Sequence, residues 1–225
     1  MRYISDRIIK ELSAGKKVLW LVPGGSTIPL AVETMNDIKA AVGSDEMHRL
    51  TISLTDERYG RVGHVDSNWQ QLLDAGFDPG GAASIPVLCG SAYEETISDW
   101  GSKIHRAFGG NDLIIGQFGI GSDGHIAGIH PHSVAVESKE FVCGYGTSRY
   151  SRITLTIKAI LGIHAAYAFA LDSAKKIVLE TIRDKSLPIA EQPAQVLKKL
   201  PEAHLYGEGF VPIIETFGTG RPKGD

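Results

Sequence analysis

Val18-Leu19-Trp20-Leu21-Val22-Pro23-Gly24-Gly25-Ser26-Thr27 runs from five apolar residues straight into a glycine turn. The apolar run is short, rich in strand formers and stopped by Pro-Gly-Gly, so it reads as a buried strand. Residues 28–42 then repeat apolar side chains at helical spacing: Leu30, Ala31, Met35, Ile38 and Val42. Strand, glycine turn and helix in that order form the first half of a β-α-β unit. A strand apolar at every position belongs to a sheet covered on both faces.

Reading outward, the order repeats. An amphipathic helix precedes the strand, with Tyr3, Ile4, Ile8, Ile9 and Leu12 apolar among Asp6, Arg7, Lys10 and Glu11. Downstream, strands are expected at 50–54, 85–88, 112–118, 141–145, 152–157, 165–171 and 203–206. Helices are expected from Ser67 through Leu73, at 92–108, at 174–183 and, briefly, at 193–200. Residues 55–66 and 119–131 read as loops. The expected fold is α/β: a three-layer, Rossmann-like, mostly parallel sheet flanked by helices. One domain over 1–208 with a C-terminal tail over 209–225 is the expected organisation. The end of that tail, GTGRPKGD, is expected to fray.

Composition narrows the function. The 225 residues are 43% hydrophobic and 22% charged, the balance of a globular chain. A net charge of −3, from 23 basic and 26 acidic residues, gives no basic excess for nucleic acid or an anionic membrane. No apolar run approaches the ~20 residues of a membrane span. The two cysteines, Cys89 and Cys143, form no CxxC and no disulfide framework, which fits a reducing, cytoplasmic setting.

Loops that follow parallel strands converge at one edge of the sheet, where such folds bind ligands. The first, Gly24-Gly25-Ser26-Thr27, lets backbone approach an anion and adds two hydroxyl donors. It is equally a capped tight turn. It lacks the Gly-Lys-Ser ending of a nucleotide P-loop. The second, Thr55-Asp56-Glu57-Arg58 with Asp66-Ser67-Asn68 after it, places three charges at a strand end. Arg58 would grip an anion with Asp56 orienting it, or the charges form a surface ion pair. The third, Gly119-Ile120-Gly121-Ser122-Asp123-Gly124-His125, fits GxGxxG formally. It lies mid-chain, and Gly128 and Pro131 interrupt any helix after it, against a dinucleotide site. It reads better as a turn presenting His125, a base at neutral pH, with Asp123 to orient the ring. His125, His130 and His132 match no zinc spacing, and Pro131 restrains their convergence.

Together these stretches resemble the 6-phosphogluconolactonase family, in the superfamily that also holds glucosamine-6-phosphate deaminase. The matching pieces are GGST (24–27), TDER (55–58), DSN (66–68), GIGSDGHIAGIHP (119–131), RITLT (152–156) and Ala174-Lys175-Lys176. The resemblance implies hydrolysis of 6-phospho-D-glucono-1,5-lactone to 6-phosphogluconate in the pentose phosphate pathway. It implies His125 as the base activating water, Asp123 and Asp56 as carboxylates holding the imidazole or a substrate hydroxyl, and Arg58 or backbone N–H groups facing the oxyanion. The phosphate would take Gly24, Gly25, Ser26 and Thr27, with Asn68, Arg152 and Lys176; Lys175 is expected to face solvent. The partner implied is a small sugar phosphate, the chain a monomer or small homo-oligomer, and neither cofactor nor metal is expected. Gly128-Ile129-His130 stands where the family usually has Ser-Leu-Phe, Ile28 where it has proline, and Gly60-Arg61 where a proline is usual. Two other readings are an amino-sugar phosphate deaminase or isomerase, and a non-catalytic sugar-phosphate-binding domain. The deaminase branch has a glutamate at the place of His130.

Overall fold

The computed structural model describes residues 3–208 and the backbone of 212–214. The decisive strand is β1 (Val18–Val22), buried at all five positions. Parallel pairing sets it between β2 (Leu50–Leu54) and β5 (Leu113–Gly119). With β4 (Ala83–Ile85), β8 (Ala165–Phe169), β9 (Glu202–Tyr206) and β10 (Pro212–Ile214) they form a seven-stranded sheet, ordered β10-β9-β8-β5-β1-β2-β4. Every pairing is parallel except β10 on β9. The order reverses at β1, the switch point beside which such sheets bind ligands.

Helices cover both faces. Trp20 pairs with Ile52, so Trp20 points opposite to the next residue, Ser53. Trp20 meets Phe77 on its face, and Ser53 accepts a 3.1 Å hydrogen bond from Trp100 Nε1 on the other. Trp100 belongs to α5 (Tyr93–Gly110), which buries Thr96, Trp100 and Ile104 at four-residue steps. The Trp20 face carries α4 (Asn68–Asp74), α2 (Ile28–Ala41) and α1 (Tyr3–Ser13). In α1, Ile4, Ile8 and Leu12 turn inward on the same four-residue step. The mostly parallel, three-layer α/β architecture is the one expected.

Four details differ from the sequence reading. Residues 56–58, expected in a loop, form β3 (Asp56–Arg58). It joins β7 (Ser151–Leu155) and β6 (Val142–Gly146) in a separate antiparallel sheet ordered β3-β7-β6. Thr55 links the sheets: its N–H donates to Val22 O in β1, and its carbonyl accepts from Leu155 N. The strand expected at 85–88 is β4, displaced toward the N-terminus. The short helix at 193–200 is 3₁₀, over Pro193–Lys199. The expected tail contains β10, while the fraying expected at 218–225 lies outside the described residues.

Candidate active site

The second sheet makes one wall of the site. Its register sets Asp56 opposite Thr154 and Arg58 opposite Arg152, and β6 sets Tyr145 opposite Arg152. Side chains directly across an antiparallel pair share a face. Two arginines so placed repel each other unless anions or aromatic faces offset them. Asp56 Oδ2 accepts from Arg152 Nη1 at 3.0 Å, with both side chains largely buried. Both guanidinium groups approach the Tyr150 ring, Arg58 at 5.4 Å and Arg152 at 5.9 Å from its centroid.

Glu57 is fully buried and forms no ion pair among the described residues. Its carboxylate instead accepts from the backbone N–H of Arg58, Asn68 and Trp69, at 2.8, 2.6 and 3.1 Å, and from Ser67 Oγ at 2.9 Å. It is thus the anion at the N-terminus of α4, whose N-cap is Ser67. Burial is the main influence and raises its carboxyl above the ordinary range, against the lowering by those hydrogen bonds. The pairing of DER with DSN is therefore a folding device. Arg58 Nη1 donates to Asp66 O at 2.9 Å, and Asn68 Nδ2 donates to Asp56 O at 2.7 Å. Asn68 packs on Gly24 with its Oδ1 buried, so it braces the first loop against the second. The surface ion pair weighed for Asp56-Glu57-Arg58 is excluded by this burial.

The glycine-rich loop after β5 makes the opposite wall. Asp123 Oδ1 accepts from His125 N at 3.1 Å and lies 2.6 Å from His125 Nδ1. A carboxylate only accepts, so the neutral ring carries its proton on Nδ1 and its lone pair on Nε2. Desolvation is the main influence on His125 and lowers its pKa below the ordinary imidazole value; Asp123 acts in the opposite sense. For Asp123, burial alone would raise the pKa, but the two neighbouring histidines outweigh it and hold the carboxyl below the usual range. The hairpin bridge between Ile126 and Ile129 turns the chain back, bringing His130 over His125. The ring centroids are 4.4 Å apart, and His130 Nδ1 reaches Asp123 Oδ2 at 3.2 Å.

Between these histidines the backbone is left-handed at Ala127 (φ 52°) and Gly128 (φ 68°). Their carbonyls accept from Thr154 Oγ1 and Tyr145 Oη respectively, so the second sheet secures an otherwise costly conformation. Gly128 is required twice over, because a Cβ there would stand 2.6 Å from Asp56 Oδ2.

A cleft of about 310 Å³ opens between the walls. Gly24, Gly25 and Ser26 line it, as do Asp56, Arg58, Asn68, His125 and Arg152. Thr27 is buried below and donates to Gly24 O at 3.3 Å. Asp123 stands behind His125, not on the cleft surface. One expectation is reversed: Lys175 lines the cleft, while Lys176 is exposed outside it. The 3₁₀ turn Ser173–Lys175 before α8 (Lys176–Asp184) sets this phase. Sequence reading also missed the roles of Tyr145, Tyr150 and Thr154: Tyr145 and Thr154 lie on β6 and β7 and Tyr150 just before β7, with no local motif to mark them.

Asp123, His125 and His130 each bring one donor atom within 4.8 Å of the others. Two donors on one tetrahedral zinc stand ~3.3 Å apart. The 2.6 Å separation of Oδ1 and Nδ1 is that of a hydrogen bond. His132 is not part of the group. No helix among the described residues is long and apolar enough to cross a membrane.

The chain matches the family model described as glucosamine-6-phosphate isomerases/6-phosphogluconolactonase over residues 1–205. It is 25% identical over 207 residues to a 6-phosphogluconolactonase of Synechocystis sp. (strain ATCC 27184 / PCC 6803 / Kazusa), covering 87% of this chain and 83% of that one. Its fold matches the crystal structure of the Thermotoga maritima 6-phosphogluconolactonase with a TM-score of 0.73 at 17% identity, over 92% and 94% of the two chains. The enzyme of that name from Leishmania guyanensis matches at 0.71 and 20%, over 90% and 89%.

Proposed function

We propose that this chain, which belongs to the glucosamine-6-phosphate isomerase/6-phosphogluconolactonase family, opens 6-phospho-D-glucono-1,5-lactone to 6-phospho-D-gluconate, as in the pentose phosphate pathway. The observation that carries the reading is one shared cleft. His125, oriented by Asp123, faces the same cavity as the backbone of 24–26 and the cations Arg58, Arg152 and Lys175.

Water attacks the lactone carbonyl carbon while His125 Nε2 takes its proton. The carbonyl oxygen becomes an oxyanion, to which Arg58 presents positive charge. Collapse of the tetrahedral intermediate re-forms the carbonyl and breaks the ring C–O bond, and the His125 imidazolium returns its proton to the departing oxygen. Asp123 holds the ring in the tautomer that makes both transfers possible. The loop 24–27, with Lys175 and Arg152, receives the phosphate. A lactone is an activated ester, so one positioned base and fixed positive charge suffice, with no covalent intermediate.

The test measures 6-phosphogluconate release with a coupled NADP-dependent dehydrogenase. The native chain is expected to exceed spontaneous hydrolysis, and His125→Ala to lose about 10²-fold or more of kcat. No acceleration by the native chain overturns the reading. Ammonia release from glucosamine 6-phosphate would transfer it to the deaminase branch, and binding of sugar phosphates without turnover to a sensor.

A further inference from the structure

We propose that His130 is a positioning residue for this hydrolysis: neutral, it braces Asp123 against His125, and protonated, it opposes the His125 imidazolium that the reaction must form. The effect on rate rests on the lactonase reading, and the effect on ionisation does not.

One carboxylate serves both rings. Asp123 spends one oxygen on each imidazole, at 2.6 Å to His125 Nδ1 and 3.2 Å to His130 Nδ1. With both oxygens engaged, the carboxylate has little freedom to rotate away from His125. His130 does not line the cleft, so it acts on the substrate through Asp123 and His125. Its own backbone is fixed, since its N–H donates to Tyr145 Oη at 3.3 Å.

Charge supplies the second half. One carboxylate balances one imidazolium. Protonation of both rings, with centroids 4.4 Å apart, leaves a net cation on two side chains that are each 33% exposed. The other groups facing the pair from neighbouring elements do not relieve this. Asp56 of β3 acts on His125 at longer range, but its Oδ2 is engaged by Arg152 of β7. Tyr145 of β6 is kept a neutral phenol, chiefly by burial. A charge on one ring therefore acts directly on the other across this contact.

Asparagine separates the two roles, because its amide Nδ2 takes the place of Nδ1 as a donor to Asp123 without gaining charge. His130→Ala removes donor and charge together. For His130→Ala, kcat is expected to fall roughly 10- to 100-fold with KM little changed, since misplacing a reacting group by ~1 Å costs on the order of 10²-fold. His130→Asn is expected to recover most of that loss. The acid limb of log kcat/KM against pH is expected to lie at higher pH in His130→Asn than in the native chain. An acid limb at the same pH in both, or equal losses in the two variants, overturns the proposal.

A second measurement is independent of turnover. NMR titration of the His125 ring is expected to show a higher pKa in His130→Asn than in the native chain. An unchanged value overturns the proposal even if the chain is an active lactonase. A shifted value supports the coupling even if the lactone is not its substrate.

Discussion

Gly128→Ala tests the closest approach between the two walls of the cleft. At φ 68° an L-residue costs ~1–2 kcal/mol relative to glycine. The added Cβ stands 2.6 Å from Asp56 Oδ2 and 2.9 Å from its Cγ, so the carboxylate must withdraw to reach van der Waals contact. That movement stretches the 3.0 Å bond to Arg152 Nη1 beyond useful length, and a buried charge-assisted hydrogen bond is worth about 1.5–3 kcal/mol. The expected total is about 3–5 kcal/mol, or roughly 6–20 °C in Tm for a chain of this size. Gly25→Ala is the matched control. Its φ is 71°, and an added Cβ would find nothing within 4 Å, so only the conformational cost of ~1–2 kcal/mol is expected. Thermal and urea unfolding followed by circular dichroism give both values. In an Asp56→Ala background Oδ2 and Cγ are gone and only Cβ, at 3.1 Å, remains, so the excess cost of Gly128→Ala should largely vanish. The reasoning is refuted if Gly128→Ala costs no more than Gly25→Ala, or if the excess survives removal of the Asp56 carboxylate.

The reversed lysines give a direct kinetic test. Lys175→Ala is expected to raise KM about 10-fold or more, the loss of one charged contact to phosphate, while Lys176→Ala stays within about twofold; the opposite ranking in steady-state kinetics would reinstate Lys176. Glu57 predicts an unusual pH dependence of stability. Burial raises its folded-state pKa, so its contribution is full below the unfolded value of about 4.3 and is lost as pH rises through the folded one. The stability advantage of the native chain over Glu57→Gln should therefore shrink across that window in denaturant titrations, and an advantage that grows with pH would contradict this. Asp123→Asn is expected to depress kcat by disturbing the His125 tautomer, an effect an excess of substrate should not restore.

Much of the site was legible because its signals are local. The uniform burial of 18–22 follows from five consecutive apolar residues, and a strand ending in Gly-Gly before a helical repeat has few other folds open to it. The place of His125 was legible for the same reason, since a glycine-rich loop after the buried strand β5 must emerge at the ligand-binding edge. Lys175 and Lys176 show where local reading stops. Neighbours on a helix point about 100° apart, so the starting phase decides which one faces the cleft, and packing sets that phase. His130 was visible as a departure from a family pattern and as one of three clustered histidines, and neither signal pointed to its contact with Asp123.

Periodicity and turn chemistry in the chain alone determined the layered α/β sheet, the glycine turn at 24–27 and the presentation of His125. Only the tertiary structure decided that Glu57 is an N-terminal anion of α4, that Arg58 and Arg152 share one face, and that Asp123 joins two imidazoles. The physical reason is range. A strand or turn is selected by residues within a few positions, whereas Asp56 meets Arg152 and Thr154 across nearly a hundred residues of chain. Those partners are chosen by the register of a second sheet, which leaves no periodic mark in either segment.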